Sequence, residues 1–194
     1  GRRTQGIVQR GPHLDLRVMV GNRDFLMGPA LHDALGAAPL PDPVCLHARE
    51  HRVLLTHDDA WCLSDTRYQA FRRQVRDPAW QDEFLSRPLQ ERLQLAQRMR
   101  QASREHQRDA SMRSVEGAGD LDDEACRAAL KSAGAGVLVH GHTHRPSQHD
   151  LGDGLQRWVL SDWDLDAPSP RGDVLRLSTD GTLTRHAVAA ATRT

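Results

Sequence analysis

The sequence predicts an α/β fold in which short apolar strands carry polar loops at their C-terminal ends and one long helical insertion interrupts the sheet. Three observations predict it. Apolar runs at residues 16–20, 52–56 and 137–139 each stop at a polar segment rich in glycine, asparagine, aspartate or histidine, and a further run at 44–47 precedes the second of them. From Asp65 to about Val115 the apolar residues recur at three-to-four spacing among arginines and glutamines, which is a helical period. Toward the end, runs at 174–178 and 182–188 flank Asp180-Gly181, a strong hairpin signal.

The elements follow in order. Residues 1–13 are basic, lack periodicity and read as the tail of something that begins earlier. A strand at 16–20 stops at Gly21-Asn22-Arg23-Asp24. A short helix at 28–37 is broken by Pro39, Pro41 and Pro43. Two strands at 44–47 and 52–56 are joined by a turn at 48–51, and the second delivers His57-Asp58-Asp59. Within the insertion, Tyr68, Phe71 and Val75, then Trp80, Phe84 and Leu85, mark helices punctuated by Pro78 and Pro88. Leu89, Leu93, Ala96 and Met99 form an amphipathic face on the last of them. An acidic stretch at 117–123 caps a helix at 124–133, closed by Gly134-Ala135-Gly136. The apolar strand that follows runs into His140-Gly141-His142-Thr143-His144, and a further strand is expected at 157–160.

Composition narrows the function. The 194 residues are read as one domain, 1–194, long enough to bury a core. The 26 basic and 26 acidic residues balance, so bulk charge gives no case for nucleic acid. No apolar run approaches the ~20 residues a bilayer span needs, and no signal peptide opens the chain. Cys45, Cys62 and Cys126 are few and widely spaced, which argues against a disulfide framework or a cysteine-based zinc site and for a reducing cytosol.

The histidines carry the chemistry. Residues at i and i+2 of an extended chain face the same way, so His142 and His144 are expected to share one cavity as neutral metal ligands. Asn22 and His57 also fall at ends of apolar strands. An amide oxygen at Asn22 suits a metal, while the Arg23 guanidinium suits a phosphate oxygen. Nitrogen with amide or carboxylate oxygen favours Mn²⁺, Zn²⁺ or Fe²⁺ over Ca²⁺. Each of these loops alone reads equally well as a turn or a backbone-bonded histidine; their coincidence in one chain favours the metal.

The order Gly-Asn-x-Asp, strand-end His, Gly-His-Thr-His resembles the calcineurin-like metallophosphoesterases. More specifically, Gly21 to Gly28, Cys62 to Arg72 and His140 to Pro146 are similar to the UDP-2,3-diacylglucosamine pyrophosphohydrolases of lipid A synthesis, from about Leu16 to the C-terminus. The resemblance implies a sandwich of mixed sheets flanked by helices, with the insertion at about 65–115 as a lid over acyl chains. It implies Asn22, His57 and His142 as ligands of one Mn²⁺ and His144 as a ligand of a second. Asn22, Arg23, Asp65, Ser103 and His142 match substrate contacts, Tyr68 stands beside the site, and Arg23 and His142 are the catalytic pair. The reaction implied is two-metal hydrolysis of the UDP-linked diacyl glucosamine lipid, water attacking the α-phosphorus. A monomer in the cytoplasm or at the cytoplasmic face of the bacterial inner membrane, in peripheral contact with it, goes with that substrate.

Three departures accompany the resemblance. The family opens with Asp-x-His and Gly-Asp-x-x strands that this chain lacks before Asn22, so an N-terminal βαβ part and its bridging carboxylate are expected to precede it, leaving the second Mn²⁺ site incomplete. The family's His-Gly-Asp is His57-Asp58-Asp59 here. Its basic and polar lid contacts match Gln107 and Ala110, with Arg108 or Arg113 as substitutes. A metallophosphoesterase of another substrate class and an inactive remnant are the alternative functions.

Overall fold

The computed structural model describes residues 15–112 and 121–188, with backbone alone for 106–112. The expectations for the basic opening segment, the side chains of Gln107, Arg108 and Ala110, and Arg113 lie outside the described residues.

The centre is a five-stranded mixed sheet in the order β3-β4-β5-β7-β6. β3 (Val44–Ala48) and β4 (His51–Thr56) are the expected antiparallel pair. β5 (Val137–His140) lies parallel to β4, with Leu54 opposite Leu138 and Thr56 opposite His140. β7 (Leu155–Val159) runs parallel to β5 on its other side, and β6 (Ser147–Gly152) closes the edge antiparallel to β7. Val53-Leu54-Leu55 in β4 and Val137-Leu138-Val139 in β5 are unbroken apolar runs, as expected of strands covered on both faces. Their matched register ends both strands at one level, so the segments that follow leave the sheet side by side.

Helix α5 (Asp123–Ala133) supplies the core on this sheet. The Asp122 carboxylate accepts from Ala125 N at 2.8 Å, and Gly134 ends the helix at φ 58°. Cys126 and Leu130 then pack with Leu54, Leu121, Ala135, Leu138 and Leu151. Burying Leu130 and Leu138 completely stabilises the fold by roughly 2 kcal/mol each.

The insertion consists of three helices, α2 (Thr66–Val75), α3 (Pro78–Ser86) and α4 (Leu89–Met112), and the prolines fall at two of their starts as expected. Asp65 caps α2 by accepting from Tyr68 N at 2.9 Å, and Asp77 caps α3 through Trp80 N at 3.0 Å. Only half of the predicted apolar face of α4 is covered: Leu89 and Leu93 stay 59% and 48% exposed, while Ala96 and Met99 line a pocket.

Elsewhere the strand expected at 16–20 shrinks to β1 (Arg17–Val18), paired in parallel with β2 (Ala38–Pro39) beyond α1 (Pro29–Leu35). β6 escapes the sequence pattern because Ser-Gln-His-Asp-Leu-Gly is an edge strand with one buried residue, Leu151. β8 (Asp173–Leu177) and β9 (Leu183–Ala187) form the predicted hairpin around Asp180-Gly181, whose glycine has φ 84°.

Candidate metal centre and apolar pocket

The parallel ends of β4 and β5 bring His57 and His142 together. Asp42 fixes the end of β4, its Oδ1 accepting from Thr56 Oγ1 at 2.6 Å and from His57 N at 3.2 Å. The His57 and His142 rings meet edge to face with centroids 5.1 Å apart. The loop after β1 arrives from the other side. There the Gly21 N–H donates to Asp24 Oδ1 at 2.5 Å, and Asn22 Oδ1 comes within 3.2 Å of His57 Nε2. Gly21 is required for this approach, because a Cβ would lie 2.5 Å from His57 Cε1.

Burial lowers the pKa of both imidazoles, with nearby carboxylates only partly opposing it, so both are neutral near pH 7. His142 Nδ1 is buried with no hydrogen-bond partner. A neutral imidazole pair, an amide oxygen and an orphaned ring nitrogen fit a divalent cation of the Mn²⁺ or Zn²⁺ type.

His142 and His144 are not set side by side as an extended chain would set them, although His144 is near enough to help lower the His142 pKa. The chain curls directly after β5, with Thr143 N donating to Gly141 O at 2.7 Å and both histidines at positive φ, 60° and 55°. The same-side rule applies to extended chain and fails in this turn. His144 instead exposes 61% of its side chain and lies 3.9 Å from Asp162, which Arg171 holds.

Asp58 and Asp59 carry weight that the sequence pattern did not reveal. Both are fully buried. Asp59 Oδ2 accepts from Tyr68 Oη at 2.7 Å and pairs with Arg72 at 3.1 Å and Arg76 at 3.6 Å. Burial pushes the Asp59 carboxyl up, but Tyr68 and the two arginines outweigh it and the net shift is downward. Burial and the bond to Asp59 raise the Tyr68 phenol, which stays protonated. Arg76 also donates to Gly21 O at 3.1 Å and covers the Phe25 ring, tying α2 to the asparagine loop. The signal was present: Tyr68, Arg72 and Arg76 recur at i, i+4, i+8 on one face of α2. Asp58 sits at φ 85° with its Oδ2 in close contact with His140 Nδ1, and burial pushes its carboxyl pKa up.

Beside the centre, α2, α3, α4 and the asparagine loop enclose a largely apolar cavity of about 440 Å³. Phe25, Phe71, Trp80, Phe84 and Met99 supply its apolar wall, and Asn22, Arg23, Tyr68 and Ser103 also line it. Asp65 and His142 are not on that wall; Asp65 is occupied as the α2 cap, and His142 approaches Tyr68 with ring centroids 5.9 Å apart.

A five-stranded mixed sheet flanked by helices, with imidazole and amide groups gathered at strand ends, is consistent with a protein of the metallophosphoesterase type. No family model matches the chain. It is 48% identical over 165 residues to a UDP-2,3-diacylglucosamine hydrolase of Bordetella pertussis, covering 83% of this chain and 62% of the relative. It is 45% identical over 181 residues to that of Bordetella parapertussis, with 91% and 69% covered. Against the Ralstonia nicotianae enzyme it is 46% identical over 179 residues, with 89% and 66% covered. The chain belongs to the UDP-2,3-diacylglucosamine hydrolase family, and spans about two thirds of the length of these relatives.

Proposed function

We propose that the chain carries the site that hydrolyses the pyrophosphate of UDP-2,3-diacylglucosamine, releasing UMP and 2,3-diacylglucosamine 1-phosphate in lipid A synthesis. The observation that supports this best is the convergence of Asn22, His57 and His142 beside an apolar pocket edged by Arg23, Tyr68 and Ser103. A phosphate-bearing lipid needs both halves. The aromatic wall suits acyl chains and the polar edge suits the sugar and its phosphates.

The cation assigned to the centre is Mn²⁺, held by Asn22, His57 and His142, with His144 assigned to a second ion. Bound there, divalent metal supplies Lewis-acid activation of water and offsets charge on the phosphate oxygens. The protein's part is positional. Buried His57 and His142 present neutral rings, and the Gly21 backbone lets Asn22 approach them. The exposed Arg23 guanidinium grips a non-bridging oxygen of the attacked α-phosphate as charge builds. Tyr68, held protonated by Asp59, offers its ring beside His142. The helices α2 to α4 act as a lid on a single domain, excluding water from the acyl chains. Among the described residues no helix is long and apolar enough to cross a membrane. Peripheral contact with the cytoplasmic face of the inner membrane is assigned to the lid surface, where Leu85, Leu89 and Leu93 are exposed.

The test is UMP release from the UDP-lipid with Mn²⁺ supplied. Turnover nearly vanishes in His142→Ala and falls by roughly 10²–10³-fold in Arg23→Ala. Undiminished turnover in His142→Ala, or faster hydrolysis of cyclic nucleotides than of the lipid, overturns the proposal.

A further inference from the structure

A second ligand set lies on the inner side of His142. Asp58, Cys62 and His142 each place one donor atom so that all lie within 4.8 Å of one another. Asp58 and Cys62 are 0% and 1% exposed, with Cys62 Sγ 3.9 Å from Asp58 Oδ1. The two neighbouring carboxylates contrast sharply in their partners. Asp59 has two guanidinium groups and a phenol, whereas the ion-pair partner of Asp58 among the described residues is the imidazole of His140. Asp58 also holds φ 85°, a backbone region that side-chain-bearing residues rarely adopt. The Asp58 oxygens share one enclosed space with the Cys62 thiol and a His142 ring nitrogen.

We propose that Asp58, Cys62 and His142 bind one Zn²⁺, with water completing the coordination. A thiolate, an imidazole and a carboxylate form a borderline-soft set that selects Zn²⁺ or Co²⁺ over Mn²⁺. Tetrahedral Zn²⁺ with ordinary bond lengths separates sulfur from oxygen by about 3.5 Å, so Cys62 Sγ and Asp58 Oδ1, now 3.9 Å apart, close in by about 0.4 Å. His140 is then an outer partner that orients the Asp58 carboxylate, the reverse of the usual carboxylate behind a ligating histidine. The wide spacing of Cys45, Cys62 and Cys126 argues against a site built from cysteines, whereas Cys62 counts here as one member of a mixed set. Because His142 serves both ligand sets, Zn²⁺ seated on this side withdraws it from Asn22 and His57. Excess Zn²⁺ therefore opposes Mn²⁺ at the neighbouring centre.

The experiment is spectroscopic and uses the full chain. Metal-free protein titrated with Co²⁺ develops a thiolate-to-cobalt charge-transfer band, which one equivalent of Zn²⁺ abolishes. Cys62→Ser loses the band, and Asp58→Asn weakens Co²⁺ binding at least roughly tenfold. Co²⁺ binding without the band, or a band that survives in Cys62→Ser, overturns the proposal. Should Cys62→Ser fail to fold, zinc-edge X-ray absorption of the unaltered protein decides. One sulfur in the first shell supports the site, and a shell of nitrogen and oxygen alone refutes it. These readouts do not depend on turnover. Mn²⁺-dependent hydrolysis without sulfur ligation leaves the hydrolase standing and removes this site, and sulfur ligation without hydrolysis does the opposite.

Discussion

At Gly21 an added Cβ would sit 2.5 Å from His57 Cε1, and the ring cannot yield without leaving Asn22. Gly21→Ala is expected to cost about 1–3 kcal/mol of stability by overpacking and to lower Mn²⁺ affinity roughly tenfold or more, read by calorimetric titration and thermal melting. Asp59 works at the same scale through charge. Asp59→Asn leaves Arg72 and Arg76 without their carboxylate and weakens the Tyr68 bond, so a loss of about 2–3 kcal/mol is expected in chemical denaturation. The histidines of the centre were legible as residues because each follows an apolar run. The roles of Asp58 and Asp59 were not, since their partners His140, Arg72 and Arg76 lie on other elements. His144 shows the limit of spacing rules: its relation to His142 depends on a turn that the motif does not announce.

Elements were legible where apolar period and punctuation agreed. The helical insertion followed from its spacing, its prolines leaving two or three helices where the structure has three, and the central strands followed from their apolar runs, though not their parallel pairing. β6 was missed because an edge strand with one buried residue has no alternation to detect. Helix α2 provides a test of function against structure at this scale. Asp65 was expected to touch substrate and is found capping α2. Asn also caps well and Ala does not. Asp65→Ala is therefore expected to lose about 1 kcal/mol while Asp65→Asn loses only a few tenths, both measured by urea denaturation. If Asp65→Asn, stable as it is, still raises KM for the UDP-lipid, the carboxylate meets substrate as well as the helix.

Across the whole molecule, acid acts on the metal-free fold in two windows. His57 and His142 have pKa values lowered from 6.5 by burial, so the unfolded chain takes up protons first as pH falls. Stability is full above 6.5, declines below it and levels off beneath the folded-state values. Asp59, lowered from 3.8, adds stability present above 3.8 and lost on further acidification. A denaturation midpoint followed from pH 8 downward is expected to fall with the histidines and again with Asp59, while Asp58, raised above 3.8 by burial, adds stability as it protonates between the two; His57→Gln should shrink the first stage. Arg76 has a consequence for motion at this scale. One guanidinium reaches both Asp59 at the sheet and the Gly21 carbonyl, and it stands at the C-terminal cap of α2, just before Asp77 and Pro78. That arginine pins the end of α2 to the loops after β4 and β1, so opening of the mouth is expected to swing α3 and α4 about the Asp77-Pro78 joint against the lighter hold of Gln81 on Val75 O and of Trp80 on Phe25. Amide exchange should accordingly be slow through α2 and quicken abruptly beyond it.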